Sequence, residues 1–133
     1  MSSELPQATW RCLVANRAKA KGSAWETAAV AYFRENGFPH ADRLTLSGAQ
    51  DRGDIRLGDG VDVVVECKNH RSYSISEWLR EAERERENAS ADIGVVLMHL
   101  TGKSKVEDAA VVMSPATFVD LLFQANYTPG GQR

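Results

Sequence analysis

Cysteine is scarce in this chain, and its two cysteines are not spaced like metal ligands or disulfide partners. Cys12 and Cys67 lie far apart, with no CxxC pair and no cysteine-to-histidine spacing around them. The three histidines, at positions 40, 70 and 99, share no regular spacing either. These absences argue against a structural zinc site, a disulfide framework and a cysteine–histidine nucleophile pair. We therefore expect a protein of a reducing compartment, most simply the cytoplasm.

Long apolar runs and common catalytic signatures are also missing. The longest uncharged stretch between residues 93 and 102 contains a histidine and is far too short to cross a bilayer. We expect no secretion signal, because the chain does not open with a charged segment followed by an apolar one. It has no GxSxG nucleophile elbow and no glycine loop that would cradle phosphate ahead of a helix.

The composition is that of one ordinary globular domain, with an uneven distribution of charge. The 133 residues are 43% hydrophobic and 26% charged, with a formal net charge of −2. Residues 5–25 contain no acidic side chain but several basic ones: Arg11, Arg17, Lys19 and Lys21. This basic N-terminal arm, residues 1–21, either follows the phosphates of a nucleic acid or is a short solvated segment, and the sequence leaves both interpretations open.

Two helices are predicted before the first strand. Apolar residues at helical spacing favour a helix at 6–18 and a stronger one at 24–36, which Gly37 ends. Ser23 and Glu26 fit a capping box at the start of the second helix, and that role is a sufficient structural reason for Glu26. The alternative is that Glu26 projects toward the sheet and helps to hold a metal ion or its water.

The rest of the chain alternates between predicted strands and helices. Strands are predicted at 42–47, 54–57, 61–68, 93–100 and 110–113. Helices are predicted at 76–89 and from Ser114 onward. Glu77, Glu81 and Glu85 alternate with arginines along the first of these helices and are assigned to a solvated, self-paired face. The order αβββαββα indicates a single-domain α/β fold, in which a mixed sheet with an antiparallel meander is flanked by helices.

The predicted strand at 61–68 is the centre of the chemistry. Side chains alternate along a strand, so Glu66 and Lys68 share one face, while valines and Cys67 share the other. The glutamate and the lysine are either a surface ion pair or part of a metal-dependent hydrolytic site. Carboxylates suit a hard cation such as Mg²⁺, which neutralises phosphate charge and lowers the pKa of bound water, while a lysine steadies the nucleophile.

The turn before this strand decides whether a second carboxylate joins the site. If 58–60 is a three-residue hairpin loop, Asp54 becomes a diagonal neighbour of Glu66 on the same face. A two-residue turn would send Asp54 to the opposite face. The three-residue loop also places Arg56 opposite Asp62, which gives that aspartate a structural role as an ion-pair partner.

A resemblance to the PD-(D/E)XK nuclease superfamily rests on three motifs taken in order: Glu26 in a helix, Asp51-Arg52-Gly53-Asp54, and Glu66-Cys67-Lys68 at a strand end. Lys21-Gly22-Ser23, Gly37-Phe38 and the small size make the chain most similar to archaeal and phage-encoded Holliday junction resolvases. The similarity covers roughly residues 22–100. Gly53 stands where the motif name has proline, a change that is common in the superfamily.

The resemblance implies a restriction-endonuclease-like fold and a Mg²⁺-dependent endonuclease that hydrolyses DNA, with Mn²⁺ as a substitute. Asp54, Glu66 and the backbone carbonyl of Cys67 would hold the ion. Lys68 would position or activate the attacking water, and Glu26 would complete the metal shell. The nuclease domain would span 22–126, between the basic arm and a short tail at 127–133.

The same resemblance implies a homodimer that acts on a four-way DNA junction in a bacterial, archaeal or phage-infected host cell. Residues 5–18 and the final helix are the apolar surfaces expected at the dimer interface. The residues expected to contact DNA are Arg17, Lys19, Lys21, Arg52, His70 and Arg71. Two alternatives stay open: a nuclease of the same fold that acts on ends, flaps or specific duplex sites, and a catalytically silent DNA-binding module.

Overall fold

The computed structural model describes residues 7–44, 54–58 and 60–127, and in these residues a mixed five-stranded sheet lies at the centre of the fold. The strands are β1 (Asp42–Arg43), β2 (Asp54–Arg56), β3 (Val63–Lys68), β4 (Ile93–Met98) and β5 (Ala110–Val112). The helices are α1 (Gln7–Glu35), α2 (Ile75–Asn88) and α3 (Pro115–Gln124), with a 3-10 turn at Val106–Asp108. No helix among the described residues is long and apolar enough to span a membrane.

The order of elements and the pairing of strands confirm the predicted small α/β domain. The strands lie in the sheet in the order β1-β2-β3-β4-β5. The first three form the predicted antiparallel meander, and β4 pairs parallel to β3 after the crossover through α2. β5 then pairs antiparallel to β4. The last three residues of the strand predicted at 42–47 lie outside the described residues.

The prediction of two helices before the sheet is wrong, because α1 runs without a break from Gln7 to Glu35. A single glycine inside a helix costs only about 1 kcal/mol, which the good helix formers around Gly22 outweigh. Ser23 is therefore no N-cap, and its carbonyl accepts a hydrogen bond from Thr27 Oγ1 at 2.9 Å instead. The arm boundary predicted after residue 21 falls inside α1, and the division into arm and domain stays a prediction.

The end of α1 is where the sequence placed it. Gly37 has a φ of +101°, the left-handed conformation that glycine adopts without steric cost. The amide of Phe38 donates to the carbonyl of Phe33 at 3.0 Å, which closes the last turn. At its other end the helix extends beyond the core, since the side chains of residues 16–21 are all exposed.

The register of β2 against β3 differs from the prediction by two residues. Asp54 lies directly opposite Glu66, and the amide of Leu57 donates to the carbonyl of Val63 at 3.0 Å. The connection is therefore longer than the three-residue loop. A shift by an even number of residues keeps each side chain on its predicted face, so Asp54 still shares a face with Glu66.

The structural role predicted for Asp62 is confirmed, although the residue lies just before β3 and not within it. Arg56 Nε donates to Asp62 Oδ1 at 2.8 Å, and the guanidinium contacts the second carboxylate oxygen as well. This hydrogen bond from Arg56 lowers the pKa of Asp62. The pair links the end of β2 to the segment that enters β3.

Each face of the sheet packs against a different helix. On one face, Trp25 and Ala29 of α1 pack with alternate strand residues such as Ile55, Val65 and Leu97. On the other face, a smaller cluster joins α2 to β4: Trp78, Ala82, Val96 and Met98. The apolar area on the α2 face is therefore limited, and polar side chains fill the remainder.

A glycine in β4 allows α2 to lie close to the sheet. A Cβ atom at Gly94 would come within 2.8 Å of the carbonyl oxygen of Ala82 and within 3.0 Å of Arg86 Cβ. The first distance is shorter than real Cβ atoms show and involves backbone that cannot rotate away, and the second is tighter than most real contacts. Gly94 thus sets the distance between α2 and the strands.

We expect Gly94→Ala to lower the free energy of unfolding by about 1–3 kcal/mol, because α2 must move outward to admit the methyl group. Gly22→Ala is the matched control, since nothing lies within 4 Å of the added carbon. It should stabilise the protein by up to about 1 kcal/mol if α1 is continuous. Urea unfolding followed by tryptophan fluorescence measures both changes. Destabilisation by Gly22→Ala would contradict the unbroken helix.

Candidate active site

Two buried carboxylates face each other across β2 and β3. Asp54 and Glu66 are direct cross-strand partners, and only 2% and 3% of their surfaces are exposed. Side chains at paired positions of antiparallel strands lie side by side on the same face of the sheet. The geometry is therefore closer than the diagonal arrangement predicted from the sequence, and both groups are removed from bulk water.

Helix α2 adds two glutamates that the sequence analysis assigned to solvent. Glu85 is only 3% exposed, and both its charge and a hydrogen bond act on Asp54. Glu81 reaches Lys68 on the neighbouring strand. The sequence spacing did indicate that Glu85 is buried. Trp78, Ala82 and Glu85 lie on one stripe of the helix, and the first two are core residues. The solvated, self-paired face predicted for Glu81 and Glu85 is therefore wrong.

Lys68 lies between two carboxylates. Its Nζ is 3.2 Å from Glu66 Oε1 and 2.5 Å from Glu81 Oε2. Burial by itself would lower the pKa of Lys68, but the hydrogen bond that Lys68 donates to Glu81 and the charges of both glutamates outweigh burial and raise it. The lysine is therefore held as a cation. Glu66 and Lys68 do form an ion pair, but it is buried, with side-chain exposures of 4% and 14%, and is not the surface pair considered above.

The crowding of carboxylates perturbs Asp54 strongly. Burial raises the pKa of Asp54 far above its ordinary value, and the hydrogen bond and charge of Glu66 raise it further, followed by those of Glu85. Two adjacent buried carboxylates cannot both carry a full negative charge without a compensating cation. Lys68 offsets the charge of Glu66, and the raised pKa of Asp54 means that this second carboxyl holds a proton at neutral pH unless a further cation binds beside it.

The donor atoms at the site fit a divalent cation. Asp54 Oδ1 and Glu66 Oε2 are buried acceptors without a hydrogen-bond partner. Such oxygens are costly to bury unless something positive meets them. Mg²⁺ is commonly held by one or two protein carboxylates, with water or phosphate in its other positions. The described residues include no group of three His, Cys, Asp or Glu side chains arranged to hold a metal, so the fit is to two protein carboxylates.

A small polar pocket opens beside Glu66 and Lys68. Its volume is about 330 Å³, and it is lined by Glu66, Lys68, Glu81, Arg84 and Glu85. Arg84 is the additional cation there. The pocket is thus bordered by carboxylates, which could bind a cation, and by Lys68 and Arg84, which could contact an anion.

Cys67 presents only its backbone to this face. Its side chain packs with the α1 cluster on the other side of the sheet, and burial raises the pKa of the thiol. A neutral, buried thiol is a poor nucleophile and a poor metal ligand. The prediction for Cys67 concerns its carbonyl oxygen and is compatible with this placement.

Glu26 lies on the α1 side of the sheet and is only 9% exposed. Its Oε2 is 3.5 Å from Arg43 Nη1, and its charge acts on the Cys67 thiol. The structural explanation of Glu26 as a capping residue is wrong, because α1 does not begin at Ser23. The structure offers the Arg43 ion pair in its place, and the role of Glu26 in a metal shell stays a prediction.

Of the residues predicted to contact DNA, three line one pocket, two lie elsewhere on α1, and one is outside the described residues. Lys21, His70 and Arg71 line a single pocket of about 410 Å³ beside the carboxylate site. Arg17 and Lys19 are exposed on α1 and do not line that pocket. Arg52 lies outside the described residues. One turn of helix separates Arg17 from Lys21, so these two side chains share a face of α1.

Comparison of the chain with models of protein families, with curated proteins and with solved structures finds no match. The resemblance to PD-(D/E)XK nucleases therefore stays a prediction from the sequence. The geometry of the carboxylates and of Lys68 is the basis on which the function can be inferred.

We expect Glu85→Gln to raise the free energy of unfolding by roughly 1 kcal/mol at neutral pH in EDTA, because it removes one charge from three neighbouring carboxylates. Glu83→Gln is the control on the same helix, where the glutamate is exposed and pairs with Arg86 at 2.6 Å. That change should cost at most about 1 kcal/mol. Urea unfolding compares the two variants, and a loss of stability in Glu85→Gln would argue against electrostatic repulsion at the site.

Proposed function

We propose that the chain is a Mg²⁺-dependent endodeoxyribonuclease of the PD-(D/E)XK type, with a restriction-endonuclease-like fold and branched DNA as its substrate. The observation that carries the proposal is the juxtaposition of buried Asp54 and Glu66 with Lys68 one side-chain position further along the same strand face. Two carboxylates and an ammonium group in this order meet the needs of phosphodiester hydrolysis.

Each residue has a separate task in this proposal. Asp54 and Glu66, with the carbonyl of Cys67, would hold the divalent ion. A bound ion supplies charge neutralisation at the phosphate and a lowered pKa for water. Lys68, kept protonated by Glu81 and Glu66, would orient the attacking water and stabilise the negative charge that develops on the phosphate oxygens. Glu81 fixes the position of the ammonium group, which would otherwise rotate freely on its long side chain.

Mg²⁺ binding gives a test that does not depend on turnover. Excess Mg²⁺ should raise the melting temperature of the unmodified protein, because a ligand that binds only the folded state stabilises it. Asp54→Asn and Glu66→Gln should abolish this rise, while Glu83→Gln, on the exposed face of α2, should keep it. A rise that persists in both site variants would place the ion elsewhere.

Cleavage assays on labelled four-way junction, flap and linear duplex test the reaction and its substrate. We expect symmetric cuts in the junction with Mg²⁺ and none in EDTA. Asp54→Ala and Glu66→Ala should remove activity, and Lys68→Ala should retain DNA binding but lose at least about 100-fold in rate. Lys105→Ala is the control, since that lysine is 71% exposed on the surface.

The assay also separates the alternatives. Equal cutting of linear duplex would overturn the junction specificity and leave a general nuclease of this type. Binding to DNA without any Mg²⁺-dependent cleavage would indicate a catalytically silent module. Near-normal turnover by Lys68→Ala would remove the lysine from the mechanism.

A homodimer is part of the proposal, because a symmetric junction requires two paired cuts. Apolar side chains on α3 support this surface as the interface. Phe118, Val119 and Phe123 are 51%, 47% and 53% exposed, and Val111 on strand β5 is 51% exposed. Exposed apolar residues grouped in this way are typical of protein interfaces.

We expect the unmodified protein to sediment as a dimer and Phe118→Asp to sediment as a monomer with unchanged circular dichroism. The aspartate would place a charge at the centre of the apolar surface, where no partner could compensate it. Ile75→Asp, at an exposed apolar residue at the start of α2, is the control and should remain dimeric. A dimeric Phe118→Asp would place the interface on another surface.

A further inference from the structure

A second polar pocket lies beside the carboxylate site, at the carboxyl ends of the two parallel strands. Because β3 and β4 run in the same direction, the residues that follow them emerge at the same edge of the sheet. In sheets of this kind, ligands bind in the crevice beyond those strand ends. The pocket is lined by residues after β3, residues after β4 and one residue of α1: Asn69, His70, Arg71, His99, Thr101, Gly102 and Lys21.

The charge of this pocket is positive, in contrast to the site next to it. Lys21 and Arg71 are full cations, His70 and His99 are imidazoles, and no acidic side chain is among the lining residues. Among the residues that the structure describes, neither Lys21 nor Arg71 forms an ion pair with a carboxylate, whereas Lys68 nearby has two such partners. The positive charge of the pocket is therefore available for an anion from outside.

The two imidazoles are held in place by aromatic packing from opposite faces of the sheet. The ring of His99 meets Trp25 of α1 edge-on, with centroids 4.9 Å apart. The ring of His70 packs against Trp78 of α2 at 5.3 Å. Such contacts restrict both rings without consuming both of their ring nitrogens.

A hydrogen bond ties together the two loops that form the pocket. Tyr73 OH lies 2.9 Å from Thr101 Oγ1 and accepts from the amide of Thr101 at 2.8 Å. At the base of the loops, the amide of His99 donates to the carbonyl of Lys68 at 2.8 Å. The pocket is thus pre-organised, and one of its loops begins directly after Lys68 of the carboxylate site.

Asn69 adds a buried polar group. Its Oδ1 is buried without a hydrogen-bond partner. As placed, this oxygen can only accept a hydrogen bond, and Asn69 would donate to a ligand here only after a half-turn of its terminal amide.

We propose that this pocket binds a backbone phosphate of the DNA strand, the one next to the phosphate that is cut. The inference rests on the proposed nuclease function, which places the scissile phosphate at Asp54, Glu66 and Lys68. It extends that function by assigning His99 and Asn69 to substrate binding and by fixing the path of the strand across the ends of β3 and β4. Occupation of both positions aligns the strand before the cut.

Histidine NMR signals test the pocket without catalysis. The imidazole signals of His70, His99 and His40 are followed while a short single-stranded oligodeoxynucleotide is added to the full-length protein in EDTA. His70 and His99 should shift together, and His40, which lies outside the pocket, should not. Inorganic phosphate at the same phosphate concentration should cause much smaller shifts. Equal shifts with inorganic phosphate, or equal shifts of all three histidines, would overturn the proposal.

Variants that remove one positive charge from the pocket test the same proposal through the salt dependence of DNA binding. Arg71→Gln and Lys21→Gln should each lower the slope of log affinity against log salt concentration by roughly 1, the loss of one phosphate contact. Arg80→Gln is the control, because that arginine is exposed on α2 and lines a different pocket. Unchanged slopes for Arg71→Gln and Lys21→Gln would overturn the assignment.

The outcomes distinguish this proposal from the function on which it rests. Mg²⁺-dependent cleavage without selective shifts of His70 and His99 would overturn the pocket alone. Selective shifts without any cleavage would overturn the nuclease function and leave a site that binds the phosphates of a DNA strand.

Discussion

The burial of Asp54 beside Glu66 is the constraint on which the rest of the structure depends. Two carboxylates in adjacent strands repel each other unless a proton or a cation lies between them, and burial strengthens that repulsion. A site intended only for stability would be better filled by apolar side chains of similar volume. In the proposed function, a bound divalent ion would offset this electrostatic penalty.

The neighbouring elements determine how that constraint is met. Gly94 lets α2 lie close to β4, and this approach brings Glu81 and Glu85 to the strands that carry Lys68 and Asp54. The crossover through α2 also makes β3 parallel to β4, so that positively charged loops emerge next to the carboxylates. Opposite charges thus come to border each other at one edge of the sheet as a result of chain topology.

The sequence was sufficient for features that depend on strict periodicity. Alternation along β3 placed Glu66 and Lys68 together, and the order of elements followed from turn residues and apolar patterns. The register of β2 was wrong by two residues because the length of a connection cannot be read from the turn residues alone. Glu85 was misassigned because its charge favours solvent, while its position on the stripe of Trp78 and Ala82 favours burial. The predicted break between two helices near Gly22 was wrong, because the free-energy cost of one glycine is smaller than the helix-forming tendency of the residues around it.

The continuity of α1 makes residues 7–21 part of one long helix. With 29 residues, the helix is roughly 43 Å long, about twice the length of the central strands. Its second half is embedded in the core through Trp25 and Ala29, while the side chains of residues 16–21 are exposed. Arg17 and Lys21 therefore project from the same helix that Trp25 and Ala29 anchor in the core, and the packing of those two residues sets the direction of the helix.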